Sequence, residues 1–201
     1  VCLKKGIPVA FLPGDDHPDI ELAELSTLQS DALYRIWQYQ VHGGLANAEQ
    51  MLAFLAYLIG YSYEWQEPKP LVKAGLYWPG EYFPDLNLIK SHWIKKQPVV
   101  GLIFYRALIQ AANIKVVDDF VLALIRAGLN PFPMFTQSLK DPVAAAILEL
   151  NLYEARPEII LNATGFSVSP PGRPRVLTPF ETGREKAAPL VIQVVFSGSD
   201  F

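Results

Sequence analysis

Five residues of this chain combine a polar type with a position where chemistry is expected. Tyr105 and Arg106 close the apolar run that begins at Val99. Ser138 opens the turn Ser138-Leu139-Lys140-Asp141-Pro142. Asn162 and Thr164 follow the apolar residues from Ile159 to Leu161. A guanidinium at position 106 can clamp a ligand carboxylate through two parallel hydrogen bonds. It can equally pair with Asp118, Asp119 or Asp141, or stay solvated, and the sequence leaves both uses open. The hydroxyls of Ser138 and Thr164 can bond a ligand, although strand-end hydroxyls more often satisfy loop backbone. Asp141 before Pro142 reads as a helix cap, with Lys140 a solvated neighbour.

Other chemistries find no motif. The chain has no G-x-x-x-x-G-K-[ST] phosphate loop, no G-x-G-x-x-G after a strand and no G-x-S-x-G elbow. His17, His42 and His92 are far apart and none has a partner at metal-ligand spacing, so each is expected to be an ordinary surface or cap residue. His17 beside Asp15 and Asp16 is the best placed of the three to meet a cation, against the simpler reading of an acidic helix start. No catalytic residue and no metal ligand is assigned. Tyr61, Tyr63, Trp65, Tyr77, Trp78, Tyr82, Phe83 and Trp93 form a dense aromatic set. They could stack on a flat macrocycle, but core between two subdomains is the more common outcome.

The elements that must position these groups follow from periodicity. Ile7 to Leu12 reads as a strand, and Ile20 to Leu25 as a short helix. Ser30 is expected to cap a helix lined by Leu33, Ile36, Trp37 and Val41. A second helix is expected from Asn47, with Gln50 as capping-box partner, apolar nearly all round and therefore buried. Tyr61 to Lys73 is a linker. Val72 to Tyr77 is a short strand, and Leu86 to Lys95 a helix. From Pro98 strands and helices alternate: strand Val99–Tyr105, a helix from Val116 (Val117, Phe120, Val121 and Leu124 inward), strand Pro131–Phe135, a helix from Pro142 (Val143, Ala146, Ile147 and Leu150 inward), strand Ile159–Ala163, and strand Leu190–Phe196.

Alternation of this kind implies an α/β fold with right-handed crossovers and a parallel sheet. Pro131 and Pro133 place their strand at an edge. The expectation is a flavodoxin-like (Rossmann-like) parallel domain over 71–201, strand order 2-1-3-4, with a long loop at 167–189. A mostly helical α/β portion over 1–70 precedes it. Ligands of such sheets sit at the carboxyl ends of the strands, where Tyr105, Arg106, Ser138, Asn162 and Thr164 fall.

The 201 residues are 51% hydrophobic and 18% charged, enough to bury a sizeable core. A net charge of −3 with scattered basic residues argues against a nucleic-acid surface. No apolar run reaches the roughly 18 residues of a membrane span. One cysteine, Cys2, precludes an internal disulfide and fits a reducing, cytoplasmic compartment. The chain opens on Val1 rather than Met, and both ends look cut. It therefore reads as part of something longer.

Several blocks together resemble the large subunit of aerobic cobaltochelatase, the CobN type of the CobN/magnesium chelatase large-subunit family. They are Phe11-Leu12-Pro13-Gly14-Asp15-Asp16, Ala74-Gly75-Leu76-Tyr77-Trp78-Pro79, Val100-Gly101-Leu102-Ile103-Phe104-Tyr105-Arg106-Ala107, Gly128-Leu129-Asn130-Pro131, Ser138-Leu139-Lys140-Asp141-Pro142, Leu161-Asn162-Ala163-Thr164-Gly165-Phe166 and Gln193-Val194-Val195-Phe196. The resemblance implies a subunit that holds a corrinoid or porphyrin while an AAA+ ATPase pair drives metal insertion. For the cobalt branch this is Co²⁺ into hydrogenobyrinic acid a,c-diamide, in cobalamin biosynthesis. Magnesium chelatase, placing Mg²⁺ in protoporphyrin IX, is the alternative branch. The resemblance further implies an N-terminal portion with no cofactor of its own, ATP and its Mg²⁺ being held by partner subunits and metal delivery by the remainder of the polypeptide. Alone, the portion is expected to be inactive. Where the family often reads Gly-Asp-Thr, this chain has Ala112-Asn113-Ile114, so no ligand role is carried to that position. A two-lobed small-molecule-binding module and an interaction scaffold using the 167–189 loop are the competing readings.

Overall fold

The computed structural model describes residues 2–81, 84–165 and 189–196. Tyr82, Phe83 and residues 167–188 of the long loop lie outside the described residues. The chain divides into two compact units, Val1–Leu71 with Gln110–Ala112, and Val72–Ile109 with Asn113–Phe201.

In the first unit, α1 (Ile20–Leu25), α2 (Ser30–His42) and α3 (Leu45–Leu58) are helical. Asp19 caps α1 through Leu22 N–H. The cap of α2 is Gln29, not Ser30, which is the first helical residue. Ala32, Ile36 and Tyr39 of α2 close on Phe54 of α3 as the core, with Met51, Leu55 and Trp65 around it. Ile7–Leu12 is not a strand: Thr27 Oγ1 and Ser26 Oγ, not a neighbouring strand, satisfy the N–H groups of Val9 and Phe11.

The second helix starts at Leu45 behind Gly44, two residues before the expected Asn47. The polar groups there serve another end. The Asn47 amide brackets Lys69, donating to its carbonyl and accepting from its N–H at 2.9 Å each. Gln50 accepts from Gln66 N–H at 2.8 Å. They strap the 61–71 segment to the helix. Arg35 locks the strap, 2.8 Å from Glu67 and stacked over Trp65 and Phe54. Nor is α3 buried all round, since Leu45 and Leu52 are exposed.

Among the described residues the second unit holds five strands: β1 (Ala74–Leu76), β2 (Val99–Tyr105), β3 (Asn130–Thr136), β4 (Ile159–Asn162) and β5 (Leu190–Gln193). The order is β1-β3-β2-β4-β5. β3, β2, β4 and β5 run parallel, and β1 joins β3 antiparallel. The sheet is therefore mixed and five-stranded rather than the four-stranded 2-1-3-4 sheet of the sequence expectation, and a flavodoxin-like assignment does not follow from it.

β3 is correspondingly not an edge. Its prolines are accommodated by facing. Asn130 N–H bonds Pro98 O, so even-numbered residues of β3 address β2. Pro131 and Pro133 face the β1 side, where β1 reaches only Met134 to Thr136. The missing donors are not needed there. Both proline carbonyls still find partners, Trp93 Nε1 for Pro131 and Tyr77 N–H for Pro133.

Helices cover both faces. Leu152 of α7 (Pro142–Ala155) approaches Gly101 on one. On the other, Tyr77 packs edge-on against Phe104 and bonds Asp118 of α6 (Lys115–Arg126). Two short helices, α4 (Leu86–Ser91) and α5 (Ala107–Gln110), complete the set; α4 stops four residues before the expected Lys95. On α7 the buried positions are Ala144, Leu148, Leu152 and Ala155, while Val143 and Leu150 are exposed. A helix that is apolar nearly all round carries no periodic signal to choose its face.

Ala112 has φ 54°, a left-handed conformation that costs an L-residue about 1–2 kcal/mol. Ala112→Gly is expected to stabilise the protein by about 1 kcal/mol, net of the added freedom of the unfolded chain. A denaturant midpoint that stays put or falls would contradict this.

Candidate functional site

β2, β3 and β4 end together, and their carboxyl ends form one rim. A parallel strand keeps its polar groups for its end when both faces are covered. Tyr105, the last residue of β2, is 40% exposed after five buried positions. Its hydroxyl accepts a 2.7 Å hydrogen bond from Gly165 N–H. A Cβ at position 165 would lie 2.8 Å from that oxygen, so glycine allows the approach. Arg106 is half-buried, and its N–H bonds Thr136 O at 2.8 Å, tying the ends of β2 and β3.

Asp118, Asp119 and Asp141 each have a partner of their own. Tyr77 holds Asp118, Lys115 holds Asp119 at 2.7 Å, and Lys73 holds Asp141 at 2.8 Å. Burial, with the Asp118 carboxylate beside it, pushes the Tyr77 hydroxyl well above the ordinary phenol range.

Asn162 and Thr164 sit together in a closed network. Asn162 Oδ1 accepts from Thr164 N–H at 3.1 Å and from its hydroxyl at 2.7 Å. Asn162 Nδ2 donates to Gln193 Oε1, and Gln193 Nε2 returns to Thr164 O at 2.6 Å. Both residues are buried. Their side chains fix the first residues after β4, up to Thr164, and present little to a ligand. Ser138 makes its bonds within its own turn, its hydroxyl accepting from Lys140 N–H at 3.1 Å. Tyr105 and Arg106 thus remain the binding candidates among the five, and Asn162, Thr164 and Ser138 shape the rim.

Three contributors were not read from the sequence. Gln193 closes the network but looks like an ordinary strand residue. Gly165 admits the Tyr105 hydroxyl. Lys73 arrives because β1 is antiparallel: its amino end lies where the parallel strands finish, and its carbonyl accepts from Gln137 N–H at 2.7 Å. A search for strand carboxyl ends passes over it.

The remaining candidates disperse. His17 bonds Asp15 and Asp16 on an exposed loop. His42 bonds Gln38, and His92 stacks on Trp78 with centroids 4.5 Å apart. Among the described residues no group of His, Cys, Asp and Glu could hold a metal ion. The aromatic set splits between the units: Trp65 packs on Phe54 in the first, Tyr77 on Phe104 and Trp93 on Phe132 in the second.

Asp141 anchors the rim from below. Its carboxylate accepts from the N–H groups of Val143 and Ala144 at 2.9 Å. The Lys73 ammonium first, and those amides second, hold its carboxyl below the ordinary range. A carboxyl depressed in the folded state stabilises above its unfolded pKa of about 4, and that contribution disappears as pH falls through the lower folded value. Asp141→Ala is expected to lower Tm at neutral pH, and the gap to the parent protein should close in acid. A gap of constant size from about pH 7 to about pH 2 would show that the charge is not what stabilises.

Residues 37–198 match the CobN/Magnesium Chelatase family model. Aerobic cobaltochelatase subunit CobN from a Sinorhizobium species is 39% identical over 199 residues, 95% of this chain and 15% of that protein. The subunit of the same name from Pseudomonas aeruginosa is 38% identical over 178 residues, 88% of this chain and 14% of that one. In fold, the chain is similar to the catalytic subunit of cobaltochelatase from Mycobacterium tuberculosis, with a TM-score of 0.61 and 24% identity over 80% of this chain and 12% of that one. The chain spans only 14–15% of the length of the curated relatives it matches. No described helix is long and apolar enough to cross a membrane. With the family model covering most of its length, the chain belongs to the CobN/magnesium chelatase family.

Proposed function

We propose that this chain is a segment of the large tetrapyrrole-binding subunit of an ATP-dependent cobaltochelatase, which inserts Co²⁺ into hydrogenobyrinic acid a,c-diamide on the way to cobalamin. The observation that carries the reading is 38–39% identity to two CobN subunits across 88–95% of the chain. The rim supports it: a cationic and phenolic pair, Arg106 and Tyr105, stands where ligands of parallel sheets bind.

In this reading the segment forms one wall of the ring cavity. The substrate carries carboxylates on its periphery, and a guanidinium is the side chain best shaped to grip one. Lys73, paired with Asp141 at 2.8 Å, lies at the same rim. The Asn162–Thr164–Gln193 network fixes the residues just after β4, and Gly165 N–H holds the Tyr105 hydroxyl, before the ring arrives. Insertion also requires the pyrrole nitrogens to lose protons and the metal to shed water. Those steps are assigned to the rest of the polypeptide, and ATP with its Mg²⁺ to AAA+ partner subunits.

In the full-length subunit, Arg106→Ala is expected to weaken tetrapyrrole binding about tenfold, the size of one charge-assisted hydrogen bond, when followed by tryptophan quenching. Arg106→Lys should recover only part of the loss. Unchanged affinity in the alanine variant would remove Arg106 from the cavity wall. The 201-residue chain alone, given a corrinoid, Co²⁺, ATP and the ATPase subunits, should form no product, and turnover would refute this division of labour.

A further inference from the structure

Among the described residues, the two edges of the sheet differ in kind. β1 is three residues long and Lys73 precedes it. Shortness and a lysine are how proteins blunt an edge against further pairing. β5 is only one residue longer, at four, but it carries no charge. Leu190-Val191-Ile192-Gln193 continues into Val194-Val195-Phe196, and no charge or proline interrupts the seven residues. All four residues of β5 are exposed, Leu190 at 61%. A strand paired in parallel is ordinarily covered on both faces and flanked on both sides. Left open, an uncharged β-branched segment of this length is an aggregation hazard.

The hydrogen-bond facing is defined. Leu190 N–H bonds Glu158 O, and Val194 N–H bonds Asn162 O. Backbone groups alternate along a strand, so those of Val191 and Gln193 point away from β4, along the open edge.

We propose that β5 is an interior strand of the complete subunit, and that a further strand of the same polypeptide, from outside these 201 residues, pairs along its outer edge. The inference rests on the reading that the chain is a segment of a longer subunit. Two observations select this occupant. The curated relatives extend far beyond the matched part, which is 15% and 14% of their lengths. The ladder from β3 through β2 and β4 to β5 is parallel throughout, and parallel sheets grow by crossovers within one chain. Two copies meeting edge to edge about a two-fold axis would pair antiparallel instead.

Amide hydrogen exchange on the full-length polypeptide, resolved to residues, tests this. Val191 and Gln193 N–H are expected to exchange at least ~100-fold more slowly than open peptide, in step with the inward-facing Ile192 and Val194, at every protein concentration. Fast exchange at 191 and 193 beside slow exchange at 192 and 194 would overturn the proposal. So would protection that appears only as concentration rises, which would assign the edge to a second copy, and protection equally present in the 201-residue chain. As a second measurement, Val191→Pro removes one outward donor and should lower the Tm of the full-length protein well below that of Val191→Thr, which keeps it. Equal values would also overturn the proposal. An open edge in a subunit that still binds tetrapyrrole would sink this inference and leave the functional reading standing.

Discussion

β2 is hydrogen-bonded on both sides, to β3 over seven residue pairs and to β4 over four. Its faces are covered too: Val100, Leu102, Ile103 and Phe104 are between 0 and 1% exposed. Each such side chain contributes about 1.5–3 kcal/mol by leaving water. A strand enclosed on four sides cannot carry a polar side chain until it ends. That constraint makes Tyr105 and Arg106 the first positions on β2 where chemistry is possible. The register then decides who stands beside them, Thr136 at the end of β3 and, two positions earlier opposite Ile103, Asn162 on β4.

The polar groups at the rim divide into those that bond one another and those that face out. Asn162 and Thr164, both buried, and the exposed Gln193 bond one another, which satisfies the two buried groups. Ser138 and Asp141 are spent on a turn and a helix start. Tyr105 has a hydroxyl already engaged with Gly165 yet keeps an exposed ring. Lys73 is half-exposed beside Asp141. The proposed cavity wall is thus a small set of cationic and phenolic groups on a rigid base.

Much of this was legible in the sequence because the signals were local. A seven-residue apolar run read as β2, and Asp141-Pro142 marked the start of α7 correctly, since cap and first-turn chemistry depend on neighbours in the chain. Expectations failed where partners are distant or patterns degenerate. The proline rule identified a side of β3 without a full ladder, but not that β1 would occupy part of that side in reverse. The all-apolar α7 could not announce which face meets the sheet. Asn47 and Gln50 looked like capping residues, while their partners are Lys69 and Gln66, across a linker. Gln193 and Lys73 reach the rim through sheet pairing alone, so no window of sequence could reveal them. The family assignment came through short blocks spread along the chain, each weak and informative in their order.

The account stands on the rim being a wall of the tetrapyrrole cavity. The most direct measurement is an experimental structure of the full-length subunit with its tetrapyrrole substrate bound. The account predicts the ring's periphery within contact of Tyr105, with a substrate carboxylate on the Arg106 guanidinium and Asn162, Thr164 and Gln193 bonded to each other behind them. A ring bound elsewhere, with Tyr105 and Arg106 packed beneath other polypeptide, would contradict it.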